Sequence, residues 1–449
     1  MIFAFYIWED VIKARRAAIK AIDEIINNNK YSNYVIKDSI DEVDDLDKSL
    51  YRKIVYGVVE NQKYLDYIIS KLSKTPFKKL DKDVVNILRI AIYELIFLNS
   101  KEYAVINEAV KNTQKINFRL KGFVNGNLRS FLRDKERYME VDIEDIDEYL
   151  SIRYSVNKSL ILYLKKYYDN YVEIVKDFNN APHMNIRVNT NIITRSKLSD
   201  QFKKYGFSTE ESSISKDSLI VENPENIIDT EEFKKGLFTI QDQSSSLVSE
   251  ILNPSEYSEV LDLCAAPGSK STHIMQIMNN KGHLVSNDVS FNKLEKIKEN
   301  FTRMNFKMPE ITNYDASKFI EEFRNRFDYI LVDAPCSGLG VIKRKPEIKI
   351  ERQFEDIESL SHLQFEILEN TYTYLKNGGY LVYSTCTLGD LENIDVVNKF
   401  LENHRDLSIV KINGKDFIEI LPSAKNDGFF ICKIYKKWLI WYNYYYLHK

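Results

Sequence analysis

A chain of 449 residues, 44% hydrophobic, has room for roughly two to three domains with sizeable cores. Its 63 basic and 66 acidic side chains leave a net charge of −3, which neither demands nor excludes a nucleic-acid partner, so local patches must carry that argument. The four cysteines, Cys264, Cys336, Cys386 and Cys432, show no Cys-x-x-Cys spacing, which argues against a zinc site or a disulfide framework. No apolar run approaches the roughly eighteen residues of a membrane-spanning helix. The apolar start over residues 1–8 lacks a basic lead-in and a small-residue cleavage site, so no signal peptide is expected and the chain reads as cytoplasmic with reduced thiols.

Residues 13–138 read as helical almost throughout. Apolar residues at helical spacing predict helices over 17–26, 54–72, 84–98 and 105–116, and the acidic run 41–47 reads as a solvated connection between helices. Eight basic residues (Lys111, Lys115, Arg119, Lys121, Arg129, Arg133, Lys135, Arg137) stand against Asp134 and Glu136 alone over residues 111–137. They are either an exposed helix face or a phosphate-contacting patch. Tyr56-Gly57, Leu88-Arg89, Tyr93-Glu94-Leu95, Ile106-Asn107-Glu108-Ala109-Val110 and Gly122-Phe-Val-Asn125 resemble the NusB-type all-helical RNA-binding domain. The resemblance implies such a domain over residues 1–140 and favours RNA as the partner of the basic patch.

The pattern is mixed over residues 141–240, read as a small α+β subdomain. Residues 143–168 are mostly helical, 183–190 and 218–221 read as strands, and 196–205 as a helix. The run Gln241-Asp-Gln-Ser-Ser245 opens a further helix with its own cap. Arg187 is open to two readings, structural or RNA-contacting.

Strands and helices alternate from residue 246 onward, which predicts a doubly wound α/β sheet over residues 241–437. Seven strands are expected: 260–263, 283–286, 310–313, 329–332, 380–383, 407–410 and 429–435. After the first, Pro267-Gly268 forces a turn; Gly268 lets the backbone approach a ligand, and Ser269 is placed to cap the next helix. Strand, glycine turn and helix N-terminus present free N–H groups at the carboxyl edge of the sheet. Asp288, 20 residues after Gly268, ends the second strand where an acid meets a ribose hydroxyl. Asp315, Asp333 and Cys386 fall at the same edge. The segment 438–449 is an aromatic tail with no assigned role.

A free cysteine is usually a small buried hydrophobe. That reading suits Cys432, inside a strand, and largely suits Cys264. It fits poorly for Cys336 and Cys386, both in turns beyond strand ends, the former three residues after Asp333. One thiol, one acid and a second thiol suit methylation of an unactivated pyrimidine carbon. A thiolate adds to C6 and makes C5 nucleophilic, a carboxyl near N3 stabilises the developing charge, and a helper releases the thiol afterwards.

Asp262-Leu-Cys-Ala-Ala-Pro-Gly-Ser-Lys270, Asp333-Ala-Pro-Cys-Ser-Gly338 and Ser384-Thr-Cys-Thr387 resemble the RNA cytosine-C5 methyltransferases of the Sun/NSUN family. With the NusB-like front end, residues 13–436 resemble its bacterial RsmB-type branch. The resemblance implies a Rossmann-like, mostly parallel seven-stranded methyltransferase domain, preceded by a substrate-binding α+β subdomain and an all-α domain. It implies S-adenosyl-L-methionine as cofactor, 16S ribosomal RNA as substrate, no metal, no membrane, and a monomer. By position, Cys264, Ala265, Ala266, Pro267, Gly268, Ser269 and Lys270 would line the cofactor. Asp288 would hold its ribose, Asp315 would lie near its adenine, and Asp333 would lie between cofactor and base. Cys386 would be the nucleophile and Cys336 the aid to release. In DNA cytosine methyltransferases the Pro-Cys thiol attacks, and that order would exchange the two roles.

The chain departs from the family pattern at Ser269, where a second glycine is usual, and at Asp390-Leu-Glu-Asn393, where Asp390 is expected to cap a helix in place of a proline. Lys343, Arg344 and Lys345 are expected to contact phosphate at the cleft rim. A methyltransferase for protein or small molecules would not need the two strand-end thiols, and a NusB-like adaptor with a degenerate catalytic domain would not keep them.

Overall fold

The computed structural model describes residues 3–28, 30–222, 224 and 226–438, with side chains from residue 14 onward; beyond Trp438 the aromatic tail lies outside them. Two compact units result. One comprises residues up to 179 together with 342–353, the other residues 180–341 and those from 354 on.

The first unit is helical and built around the helix Lys82–Phe97, whose residues 84–95 are all buried. A helix buried on every side belongs in the middle of a bundle. Asp81 caps it by accepting the Val84 N–H at 3.2 Å. Its two buried charges are paired: Arg89 with Asp66 at 2.7 and 2.8 Å, and Glu94 with Arg15 at 2.7 and 2.9 Å. Gly57 lies beneath the Tyr93 ring, where any Cβ would clash. The helix expected over 54–72 is two, Lys48–Glu60 and Gln62–Leu72, because Asn61 leaves helical geometry at φ −112 and ψ 20.

Residues 141–179, expected with the small α+β subdomain, lie in this helical unit. They form helices Ile146–Arg153, Lys158–Tyr167 and Tyr171–Asp177. Lys63 ties them in, donating at 3.0 Å to Ser151 Oγ and to the Val156 carbonyl. The excursion 342–353 is held by buried charge. Lys349 Nζ donates to the carbonyls of Glu60 (2.9 Å) and Tyr154 (3.1 Å) and to Asn179 Oδ1 (2.7 Å), while Ser32 Oγ donates to Glu347 at 2.9 Å. Burial brings the Lys349 ammonium down to about 8. The expected phosphate contact is therefore corrected for Lys343. Lys343 has a side chain only 1% exposed and pairs with Asp177 at 2.7 Å, Arg344 is half-buried, and Lys345 alone is exposed.

In the second unit, β1 (Met184–Val188), β2 (Ser208–Glu211), β3 (Ser218–Glu222) and β4 (Phe238–Ile240) form an antiparallel sheet ordered β2-β3-β1-β4. The helix Arg195–Phe202 covers one face, packing Leu198 and Phe202 on Ile186, Val188 and Phe238. The helix Gln243–Leu252 follows, capped by Asp242. The larger sheet holds β5 (Glu259–Asp262), β6 (His283–Asn287), β7 (Glu310–Thr312), β8 (Phe327–Asp333), β9 (Leu375–Thr385), β10 (Leu407–Ile409), β11 (Ile418–Ile420) and β12 (Phe429–Lys436). Its main path is β10-β12-β9-β8-β5-β6-β7, parallel from β9 to β7 and antiparallel at β12. All seven expected strands are present, and an eighth, β11, joins β12. The chain reverses its direction of strand addition between β5 and β8. Ligands of doubly wound sheets bind at the strand ends beside such a switch.

Candidate active site

Four neighbouring strands, β6, β5, β8 and β9, deliver their ends to this switch. After β5, Gly268 stands at φ +95, and a Cβ there would lie 3.1 Å from Ile297 Cα, so both torsion and space call for glycine. Gly268 rather than Ser269 occupies the cap position of the helix Ser269–Ile277. The expected Ser269 cap is corrected: the left-handed turn comes one residue earlier and puts Ser269 inside the first turn. No side chain caps the helix, and its first N–H groups have no partner within the helix itself. Cys264 is half-buried and packs against the core, and burial pushes its thiol well above the usual range.

At the end of β6 the Asp288 carboxylate accepts the N–H of Ala266 at 2.9 Å and that of Ser290 at 2.9 Å. Val289 and Phe291 beside it are 68% and 74% exposed, apolar side chains presented to solvent next to an acid. Asp315, beyond β7, accepts Ser317 N–H and Oγ, bonds that hold its carboxyl below the usual range. Asn287, which no sequence motif singles out, ties these loops together. Its amide donates at 3.0 Å to the carbonyls of Leu263 and Tyr314, and its oxygen accepts Tyr314 N–H at 2.8 Å. The only signal for it was a polar residue closing an apolar strand.

Asp333 ends β8. Its Oδ2 lies 2.6 Å from Lys270 Nζ and its Oδ1 accepts Ser384 Oγ at 2.8 Å. Burial alone would depress Lys270, yet Asp333 outweighs it and holds the ammonium above its ordinary value, with Cys386 also in electrostatic reach. Below them Asp262 is fully buried; burial pushes its carboxyl up to about 7 against one bond to Ser271 Oγ. Cys336 and Cys386, 50 residues apart in sequence, bring their sulfurs to 3.3 Å. Contact with Cys386, then burial, raises the Cys336 thiol. Cys432 lies apart, buried in β12, and burial lifts it to about 12.

The structure therefore gathers Lys270, Asp333, Cys336 and Cys386 in one cluster, and sets Gly268, Asp288 and Asp315 along the same sheet edge. It removes Arg187 from the candidates. That side chain is fully buried and donates to Gln241 (2.8 Å), Thr272 (2.8 Å), Ser269 O (3.3 Å) and Gln276, so the structural reading holds. Asp390 does not cap a helix: Gly389 precedes the short turn Asp390–Glu392, and Asn393 intervenes before the helix Ile394–Asn403. In the basic patch, Lys115, Arg119, Arg129, Arg133 and Arg137 are exposed. Lys111 and Lys135 pair with Glu108 and Glu102, and Lys121 sits over the Phe118 ring. Among the described residues no helix is long and apolar enough to cross a membrane.

A family model described as 16S rRNA methyltransferase RsmB/F matches residues 249–435, that of the NusB family matches 12–133, and a ferredoxin-like domain of RsmF/B-like methyltransferases matches 160–228. The chain is 35% identical over 446 residues to the probable ribosomal RNA small subunit methyltransferase B of Bacillus subtilis (strain 168), covering 94% of this chain and 98% of that one. It is 32% identical over 428 residues to the ribosomal RNA small subunit methyltransferase B of Proteus mirabilis (strain HI4320), with 94% and 98% covered. Among solved structures, that of PH0851 superposes with a TM-score of 0.78 at 25% identity, covering 95% of this chain and 99% of that one. A methyltransferase homolog from Pyrococcus horikoshii gives 0.59 at 28% identity, covering 66% and 100%.

Proposed function

The chain belongs to the RsmB/F family of 16S rRNA methyltransferases, and from that premise we propose that it methylates C5 of a cytosine in small-subunit ribosomal RNA, using S-adenosyl-L-methionine and a covalent bond between Cys386 and C6. The observation that carries this reading is the pair of thiols 3.3 Å apart beside the Asp333–Lys270 ion pair.

The residues present suit the cofactor. Asp288 has oxygens held by two backbone N–H groups for a ribose diol, Asp315 offers an acceptor for an amine, and Asp333 brings negative charge toward a cationic sulfur. When bound, the cofactor supplies an electrophilic methyl group. The protein's part is to make C5 attack it. The Cys386 thiolate adds to C6, with the Lys270 ammonium in electrostatic reach of it. As the ring electrons move toward N3, the Asp333–Lys270 pair answers the charge that arrives there. C5 of the enamine attacks the methyl carbon, and the electrons of the broken S–CH3 bond would stay on the departing sulfur as a neutral thioether. Cys336, against the Cys386 sulfur, assists transfer of the C5 proton to a base; the electrons of the C5–H bond re-form the ring double bond and expel Cys386 as its thiolate. The exposed arginines and Lys115 of the helical unit would meet RNA phosphates.

Replacement of each thiol tests the roles. Cys386→Ser abolishes transfer and leaves no adduct, because a neutral hydroxyl is a far weaker nucleophile than a thiolate. Cys336→Ser still attacks and methylates but does not let go, so a nuclease-sensitive protein–RNA band accumulates on a denaturing gel. The opposite pattern would assign attack to the thiol after Pro335. Full activity in both mutants would sink the covalent mechanism.

A further inference from the structure

Glu392 is fully buried in the turn that follows β9. A carboxylate taken out of water is costly unless its lone pairs are filled, so what fills them shows what the residue is for. Oε1 accepts the Ser337 N–H at 2.8 Å and Gln364 Nε2 at 3.0 Å, and Oε2 accepts the Ser337 hydroxyl. Gln364 Nε2 also donates to the Pro335 carbonyl at 2.9 Å, so both neighbours of Cys336 in the chain lead to this one acid.

The other thiol is reached by the same group. Ser337 Oγ lies 2.6 Å from Thr387 Oγ1, Thr387 follows Cys386 directly, and the Cys386 carbonyl accepts Gly340 N–H at 3.0 Å. Tyr383, three residues before Cys386 on β9, donates its hydroxyl to the Glu392 carbonyl at 2.6 Å. Two turns that are otherwise only loop thus share one buried acceptor. None of these bonds reaches Gly268, Asp288 or Asp315.

We propose that Glu392 is a positioning residue: by tying the Pro335–Ser337 turn to the turn after β9, it holds the Cys336 sulfur against that of Cys386. The role rests on the two-thiol reading above, but the geometry can be tested without RNA. A disulfide needs the sulfurs at about 2.05 Å, a short closing movement from the observed contact, so mild oxidation reports their alignment. Diamide takes two electrons and two protons from such a pair and is reduced to its hydrazine.

The experiment compares Glu392→Ala, Glu392→Gln and Ser337→Ala in the full chain. It follows diamide-driven Cys336–Cys386 cross-linking by mass spectrometry, single-turnover methyl transfer with release, KM for S-adenosyl-L-methionine, and thermal melting. Glu392→Ala is expected to slow cross-linking and turnover by about tenfold or more, as misplacement by an ångström does, with KM for the cofactor unchanged. Glu392→Gln, which keeps an acceptor for the Ser337 N–H, restores most of both. Ser337→Ala breaks only the hydroxyl link and falls between. A folded Glu392→Ala that cross-links at the wild-type rate overturns the proposal. Should that variant not fold, Ser337→Ala decides: slowed cross-linking supports the clamp and an unchanged rate overturns it. If the wild type transfers no methyl to RNA while cross-linking follows the expected order, the function is wrong and the clamp stands.

Discussion

Each oxygen of Asp288 takes one backbone N–H, from Ala266 or from Ser290, and each keeps a lone pair to offer. The acid is thus fixed before any ribose arrives. Asp288→Ala should weaken S-adenosyl-L-methionine by about 1.5–3 kcal/mol, the worth of a charge-assisted bond, read as the change in calorimetric Kd. Unchanged affinity would put the cofactor elsewhere. Two other buried groups give opposite pH signatures. Burial, then Arg187, hold His273 at about 4 beside Asp217, below its ordinary 6.5. It is neutral in the fold and charged in the unfolded chain, so stability is lost as pH falls from about 6.5 toward about 4. Asp262, raised from 3.8 to about 7, contributes stability that is full below 3.8 and lost as pH rises through about 7. Each full shift is worth on the order of 3 kcal/mol, so in the wild type they largely cancel between pH 4 and 6.5. Melting curves should separate them: acidification from 6.5 to 4.5 stabilises His273→Gln and destabilises Asp262→Asn relative to the wild type. Parallel pH profiles for all three proteins would show that neither shift matters to folding.

Parallel strands buried on both faces read as continuous apolar runs, which is why the strands delivering Asp288, Asp333 and Cys386 could be placed from the sequence within a few residues. What stayed hidden was short or local. Strands β4 and β11 have three residues each and β2 four, too few for alternation to register, and they lack the regular turn-about of helix and strand that places the equally short β7 and β10. A one-residue change of cap from Ser269 to Gly268 depends on a left-handed torsion, and the break at Asn61 on a side chain that bonds the Gly57 carbonyl at 2.9 Å. Arg187 shows the limit most plainly, since a cation on a strand looks alike whether it meets RNA or glutamines. Its guanidinium fans across acceptors from the β1 sheet side, Gln241, and from the helix Ser269–Ile277, and an ammonium has no such planar fork. Arg187→Lys should therefore destabilise the second unit by about 2–4 kcal/mol through acceptors left unmet, measured by chemical denaturation. RNA affinity per folded molecule should not change; a loss of affinity at full stability would return Arg187 to the RNA surface.

Sequence order misleads most at the scale of the whole molecule. The resemblance to a NusB-type domain ends near residue 133, and a cut at 140 looks natural. In the structure the helical unit runs on to 179 and takes back residues 342–353, a stretch that follows the Pro-Cys turn by only a few residues. Its anchors are spread on both sides of that cut. Lys349 draws one acceptor from Glu60 and two from Tyr154 and Asn179, Glu347 meets Ser32, and Lys343 meets Asp177. A fragment beginning at residue 141 keeps part of this set and strands the rest. An ammonium already brought down to about 8 by burial, stripped of the Glu60 carbonyl, is better off in water, and the segment around it should loosen. The fragment is expected to bind S-adenosyl-L-methionine still, because Gly268, Asp288 and Asp315 belong wholly to the other unit. Its amides over 342–353 should exchange with deuterium at least tenfold faster than in the full chain, as local opening at a cost lowered by about 1.4 kcal/mol requires. RNA binding should weaken at the same time and lose salt dependence, each lost phosphate contact flattening the slope of log K against log salt by about 0.7 to 0.9. Equal slopes would leave the basic helices as a solvated face. Unchanged exchange over 342–353 would mean that the segment is held by its own half of the chain, and that 140 is a true boundary after all.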